Sequence, residues 1–182
     1  KVLPPLSSTE KEAMEAGSVW WDAELFSGKP NFTTLHHYPK PALTSEEQSF
    51  MDNELESLLE ILDDQKIVKD DRDLPPEVWE FLRKKRFFSL IISKEYGGLE
   101  FSALANSTIV SRIATRSISA AVSVMVPNSL GPGELLSHYG TQEQKDYWLP
   151  RLADGTDIPC FALTGPEAGS DAGGIPDQGE VC

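Results

Sequence analysis

Cysteine and histidine are scarce in this chain, and their scarcity excludes whole classes of chemistry. Two cysteines (Cys160, Cys182) and three histidines (His36, His37, His138) are spread over 182 residues. No CxxC or Cys/His spacing occurs, so neither a metal centre nor a disulfide framework is expected. Such cysteine usage points to a reducing, cytoplasmic setting. His36 and His37 are neighbours in a polar stretch and read as surface residues. Apolar runs long enough to span a bilayer are missing, and so is a basic-then-apolar leader. The chain opens on Lys1 rather than Met, so a targeting or inner-membrane segment outside it stays compatible with the sequence. Basic residues are outnumbered, 16 Lys and Arg against 29 Asp and Glu, for a net charge of −13. That surface repels phosphate backbones, which argues against nucleic acid as a partner.

What is present reads as helices. Residues 1–43 form an arm: an extended Lys1-Val2-Leu3-Pro4-Pro5, a short helix from Thr9 through Ala16, then Trp20, Trp21, Leu25 and Phe26 among glycine and prolines. So much aromatic surface is expected to pack on a helical body. Residues 44–156 carry the helical domain. Thr44-Ser45-Glu46-Glu47 is a capping box, followed by Met51, Leu55, Leu58 and Leu62 at helical spacing, so a helix is expected from Ser45 to about Asp64. Asp70–Asp73 reads as a polar turn. Leu74-Pro75-Pro76-Glu77 opens a second helix with proline in its first turn. Phe87–Ile92 is dense and apolar, and reads either as a short strand or as a buried linker. Tyr96-Gly97-Gly98 is a turn. Ser102 caps a third helix to about Thr115, and Ser117 a fourth from Ile118 to Val126. The fourth is apolar nearly all round, which suits the centre of a bundle or the wall of an apolar ligand site. Glu134–His138 gives another short helix. Thr141-Gln142-Glu143-Gln144 is a second capping box, heading a helix that carries Trp148, Leu149, Pro150 and Leu152 and ends at Gly155.

Residues 157–182 change character. Ile158, Cys160, Ala162 and Thr164 alternate with Pro159, Phe161 and Leu163, a strand pattern. Gly165-Pro166, Gly169-Ser170 and Gly173-Gly174 then free the backbone to approach a ligand. The expected fold is therefore mainly α: an antiparallel helix bundle followed by the first strand of a β-domain whose remaining strands lie beyond the chain.

Phe161-Ala162-Leu163-Thr164-Gly165-Pro166-Glu167-Ala168-Gly169-Ser170-Asp171 resembles the acyl-CoA dehydrogenases, whose signature strand reads aromatic-x-aliphatic-Thr-Glu-Pro and then x-Ala-Gly-Ser-Asp. Tyr96-Gly97-Gly98, Asn128-Ser129-Leu130-Gly131, His138-Tyr139-Gly140, Gln144-Lys145 and Trp148-Leu149-Pro150 precede it in the family's order. Gly165 in place of the usual Glu, Leu74–Trp79 and Tyr96–Ser102 resemble the large bacterial fatty-acid-oxidation subtype.

That resemblance implies an N-terminal helical domain, a central β-domain and a C-terminal helical domain, with FAD between the last two. It implies removal of the α-proton of an acyl-CoA by a Glu carboxylate, hydride transfer to the flavin, a trans-2-enoyl-CoA product and reoxidation by an electron-transfer flavoprotein. A homo-oligomer is expected at full length. By the same resemblance Phe161, Leu163 and Thr164 wall the flavin. Gly169 and Ser170 lie near the cofactor phosphates or the CoA pantetheine. Val122, Met125, Val126 and Leu130 approach the acyl tail. No residue matches the family's catalytic base, which is expected beyond Cys182; Glu134 and Glu167 stand in the wrong context. A catalytically silent helical scaffold and an acyl-CoA oxidase-like flavoenzyme are the alternative readings.

Overall fold

The structure, a computed structural model, describes residues 11, 15, 21–129, 131–160, 164–166, 169, 176 and 178. The chain divides into two compact units, one of Lys1–Lys40 with Ala162–Cys182 and one of Pro41–Phe161. In the first, the helix expected from Thr9 to Ala16 lies outside the described residues apart from Lys11 and Glu15. Two short helices follow, α1 (Ala23–Phe26) and α2 (Phe32–His37). Polar bonds tie them together. Trp21 Nε1 donates to Asn31 O at 2.9 Å, Asn31 N donates to Glu24 Oε2 at 2.8 Å, and the Asn31 side chain caps α2. Helices of 4 and 6 residues are too short to enclose a core. Within this unit Phe26 is 93% exposed, and Leu25 and Phe32 are exposed as well.

The regular structure described in the second unit is all helical, joined by turns and linkers. α3 (Ser45–Phe50) runs through a π-helical segment (Met51–Leu55) into α4 (Glu56–Ile61). The helix stops at Ile61, short of the expected Asp64, because Leu62 turns extended to bury its side chain. Lys66–Asp71 is a further π-helical turn, so the polar turn expected at Asp70 begins only at Arg72, which adopts a left-handed conformation. α5 (Pro76–Lys84) starts on proline as expected. α6 (Ala103–Ala114) and α7 (Ile118–Met125) are capped by Ser102 and Ser117. α8 (Pro132–Tyr139) and α9 (Gln142–Asp154) complete the unit, with the Thr141 capping box formed and Gly155 left-handed at the end.

Of the two readings of Phe87–Ile92, the buried linker holds. Phe87–Ser89 is a 3₁₀ turn, and Phe87, Phe88, Leu90 and Ile92 are buried. α3 to α7 pack around it with Leu55, Leu58, Val78, Leu82, Ile109 and Ile113. Gly98 meets the linker so closely that a Cβ there would lie 2.1 Å from Ile92 O. Among the described residues there is no strand. Ile158, Pro159, Cys160 and Thr164 carry no ladder, and Phe161 to Leu163 lie outside the description. The physical reason is that a strand needs a neighbour to satisfy its backbone, and none of the described residues supplies one.

One carboxylate locks two helix starts together. Glu47, buried within α3, accepts from Thr44 N at 2.7 Å through Oε2 and from Ser102 N at 2.6 Å through Oε1. Burial disfavours its charge, but the hydrogen bonds from Thr44 and Ser102 outweigh burial and hold its pKa at about 2. A depressed carboxyl stabilises the fold above its unfolded pKa, near 4.5, and that contribution is lost as pH falls toward about 2. Urea midpoints measured from pH 7 down to pH 2.5 should therefore decline. Glu47→Gln should cost roughly 2 kcal/mol at pH 7 and flatten that decline.

Candidate functional site

The residues with site character gather on α7 and the loop that ends it. One face of α7, formed by Ala120, Ala121 and Val124, is buried in the core shared with α6. The opposite face does not sit at the centre of a bundle. Ile118 is 65%, Val122 46% and Met125 40% exposed, at positions i, i+4 and i+7. Small residues explain how one helix serves both sides. The alanines let α7 lie close against α6, and the larger β-branched and Met side chains are left pointing away from it. Val126 is half-buried at the end of this stripe, and Leu130 lies outside the described residues.

Asn128 holds the loop in place. Its Nδ2 donates to Phe87 O at 2.6 Å and to Val124 O at 2.9 Å, while its Oδ1 accepts from Leu90 N at 2.7 Å. Asn106 Nδ2 on α6 donates to Asn128 O at 2.8 Å. The buried carboxamide thus uses both donors and its acceptor to pin the end of α7 to the central linker. Its long-range partners were not legible in the sequence.

Of the residues expected against a flavin, Phe161, Leu163 and Ser170 lie outside the described residues. Thr164 and Gly169 are described and exposed. The Thr164 hydroxyl has no partner among the described residues, and nothing stands within 4 Å of where a Gly169 side chain would begin. Both suit a segment that meets a ligand through a hydroxyl and bare backbone. Glu134 Oε1 lies 3.1 Å from His138 Nε2 on the surface of α8. No group of three or more possible metal ligands occurs among the described residues.

Two clefts escaped sequence reasoning. A polar one of about 670 Å³ is lined by Lys66, Asp73, Pro76, Trp79 and Arg83. An apolar one of about 380 Å³ lies between α8, α9 and the exit from α9, lined by Pro132, Leu136, Trp148, Leu152 and Ile158. Trp148 and Leu152, one helical turn apart, were its signal.

The profile described as "Acyl-CoA dehydrogenase, N-terminal domain" matches residues 42–156. The chain belongs to the acyl-CoA dehydrogenase family. It is 34% identical over 168 residues to the "Probable acyl-CoA dehydrogenase FadE10" of Mycobacterium tuberculosis, a match covering 88% of this chain and 25% of that protein. It is 29% identical over 179 residues to the human "Very long-chain specific acyl-CoA dehydrogenase, mitochondrial", covering 94% and 26% respectively. The butyryl-CoA dehydrogenase structure from Megasphaera elsdenii superposes with a TM-score of 0.64 at 24% identity, over 75% of this chain and 36% of that one. The chain spans about a quarter of the length of the curated relatives it matches. The helical fold is that of the family's N-terminal domain.

Removing the Asn128 side chain should orphan the buried Leu90 N–H and Phe87 C=O. Asn128→Ala is expected to cost roughly 3 kcal/mol in urea unfolding of this chain. A loss below about 1 kcal/mol would show that the linker finds other partners.

Proposed function

We propose that this chain is the N-terminal helical domain, with the start of the β-domain, of an FAD-dependent acyl-CoA dehydrogenase. The reaction removes the α-proton and the β-hydride of an acyl-CoA and leaves a trans-2-enoyl-CoA. The observation that carries the reading is the family match over 42–156 combined with an apolar stripe left uncovered on α7.

Each part of this chain has a task in that reaction. Val122, Met125, Val126 and Leu130 form a dry wall along the acyl tail, so that the weakly acidic α-proton is removed away from water. Residues 157–164 form the first strand of the β-domain once neighbouring strands complete its ladder. Phe161, Leu163 and the Thr164 hydroxyl hold the isoalloxazine, and Gly169 and Ser170 contact phosphate or pantetheine. FAD, when bound, supplies the two-electron acceptor. The catalytic base comes from outside this chain, and so does the rest of the cofactor cleft. An electron-transfer flavoprotein is the redox partner, the full-length protein is a homo-oligomer, and it works in the cytoplasm.

Full-length protein is expected to purify yellow and to bleach when a saturated acyl-CoA is added without oxygen. A colourless preparation would favour a silent scaffold of the same fold, and rapid reoxidation of the reduced flavin by oxygen an oxidase. The 182-residue chain alone should not turn over palmitoyl-CoA with an artificial acceptor. Turnover by it would refute a base supplied from elsewhere.

A further inference from the structure

Beside the exposed face of α7 lies a cleft of about 320 Å³ that an apolar wall alone does not explain. Val68, Arg72 and Asp73 line it from the segment before α5, Ser119 and Ser123 from α7. Ser119 follows Ile118 and Ser123 follows Val122, so the two serines stand about 100° around the helix from the apolar stripe. Val68, 52% exposed, carries the apolar surface across to the other wall. The cleft therefore joins an apolar approach to a polar end.

Arg72 is the charged group at that end. It adopts φ +56° and ψ +24°, the left-handed region that disfavours any residue with a Cβ. Glycine would close the same turn without that strain. Strain of this kind persists where a side chain has a task. The Arg72 guanidinium has no partner among the described residues, so its forked N–H donors are available at the cleft. Asp73 is engaged elsewhere: its Oδ1 accepts from Leu74 N at 2.7 Å and from Trp79 Nε1 at 3.3 Å. Ser123 Oγ donates to Ser119 O at 3.0 Å, and the Ser119 hydroxyl has no partner among the described residues. An open guanidinium and an open hydroxyl at the edge of an apolar wall suit a carboxylate.

We propose that this cleft receives a carboxylate at the far end of the acyl chain, so that the enzyme takes thioesters of dicarboxylic acids as well as methyl-ended ones. The proposal rests on the reading of α7 as the acyl wall. An apolar wall by itself rejects such chains, because a carboxylate that leaves water without a partner is costly. Arg72 and Ser119 replace the lost water with charge-assisted hydrogen bonds. Val68, Ile118 and Val122 keep the preceding methylenes dry. A methyl-ended chain leaves Arg72 and Ser119 in water, so the site adds a substrate class without excluding the other.

The test uses full-length protein and acyl-CoA thioesters of rising chain length, each in a methyl-ended and an ω-carboxy form. The readout is the ratio of kcat/KM for the ω-carboxy form to that for the methyl-ended form. In the parent this ratio should peak at one chain length, where the carboxylate reaches Arg72. Arg72→Met should lower the peak about tenfold, mainly through KM, and Arg72→Lys should fall between. Arg72→Gly should lose the preference as fully while the melting temperature holds or rises, because glycine relieves the left-handed strain. A parent ratio without a peak, or a peak indifferent to Arg72→Met, overturns the proposal. So does a lost preference in Arg72→Gly that comes with a lower melting temperature. Inorganic phosphate should compete with the ω-carboxy form alone; a change in turnover of the methyl-ended form would assign the cleft to a free anion and overturn the proposal. A parent that dehydrogenates neither form overturns the underlying reading and the proposal with it. Turnover of the methyl-ended form with an unmoved ratio overturns the proposal alone.

Discussion

A stretch of non-helical chain runs through the middle of this helical unit, and the rest of the structure is arranged to make that tolerable. Phe87 to Ile92 bring four large apolar side chains into the core, but also a run of peptide groups that cannot satisfy one another. Their partners come from two places. Asn128 supplies Leu90 N and Phe87 O, and the segment after the Gly97-Gly98 turn supplies Ser89, Leu90 and Ile92 carbonyls with the N–H groups of Leu99, Phe101 and Glu100. Gly98 follows from this second contact, because any side chain there would displace the Ile92 carbonyl. The linker therefore fixes where α6 begins and where α7 ends.

That constraint reaches function through α7. With its C-terminal end tied to the linker and its alanine face against α6, the helix has little freedom to rotate. Its Ile118–Val122–Met125 face is consequently presented to the outside, at the cost of keeping apolar surface in water. Such a stripe is the wall that the proposed function assigns to the acyl tail. Arg83 of α5 and Arg151 of α9 hold the exit from α9, on Gly155 O and Asp157 respectively.

Local chemistry was the part most legible in the sequence. Thr44, Ser102, Ser117 and Thr141 were read as caps from residue type alone, and each accepts the expected amide. Pro76 and Gly155 marked a start and a stop in the same way. Non-local chemistry was not legible. Apolar periodicity cannot tell a face in the core from a face kept for a ligand, so α7 suited either the centre of a bundle or the wall of an apolar site. The role of Asn128 was hidden because its partners lie 38 and 41 positions away. The strand at 157–164 was read from alternation, but a ladder depends on neighbours that no local pattern contains. The candidate site divides along the same line. The motif around Thr164 announced itself, whereas the apolar cleft beside Trp148 exists only once α8 and α9 are packed.

The central claim is that the exposed face of α7 lies along the acyl chain. Amide hydrogen exchange of the full-length protein, with and without a saturated long-chain acyl-CoA under anaerobic conditions, tests it directly. Exchange should slow across Ile118–Val126 on binding and stay unchanged across Lys66–Arg83. Unchanged exchange in α7 alongside protection at the Trp79 cleft would contradict the account.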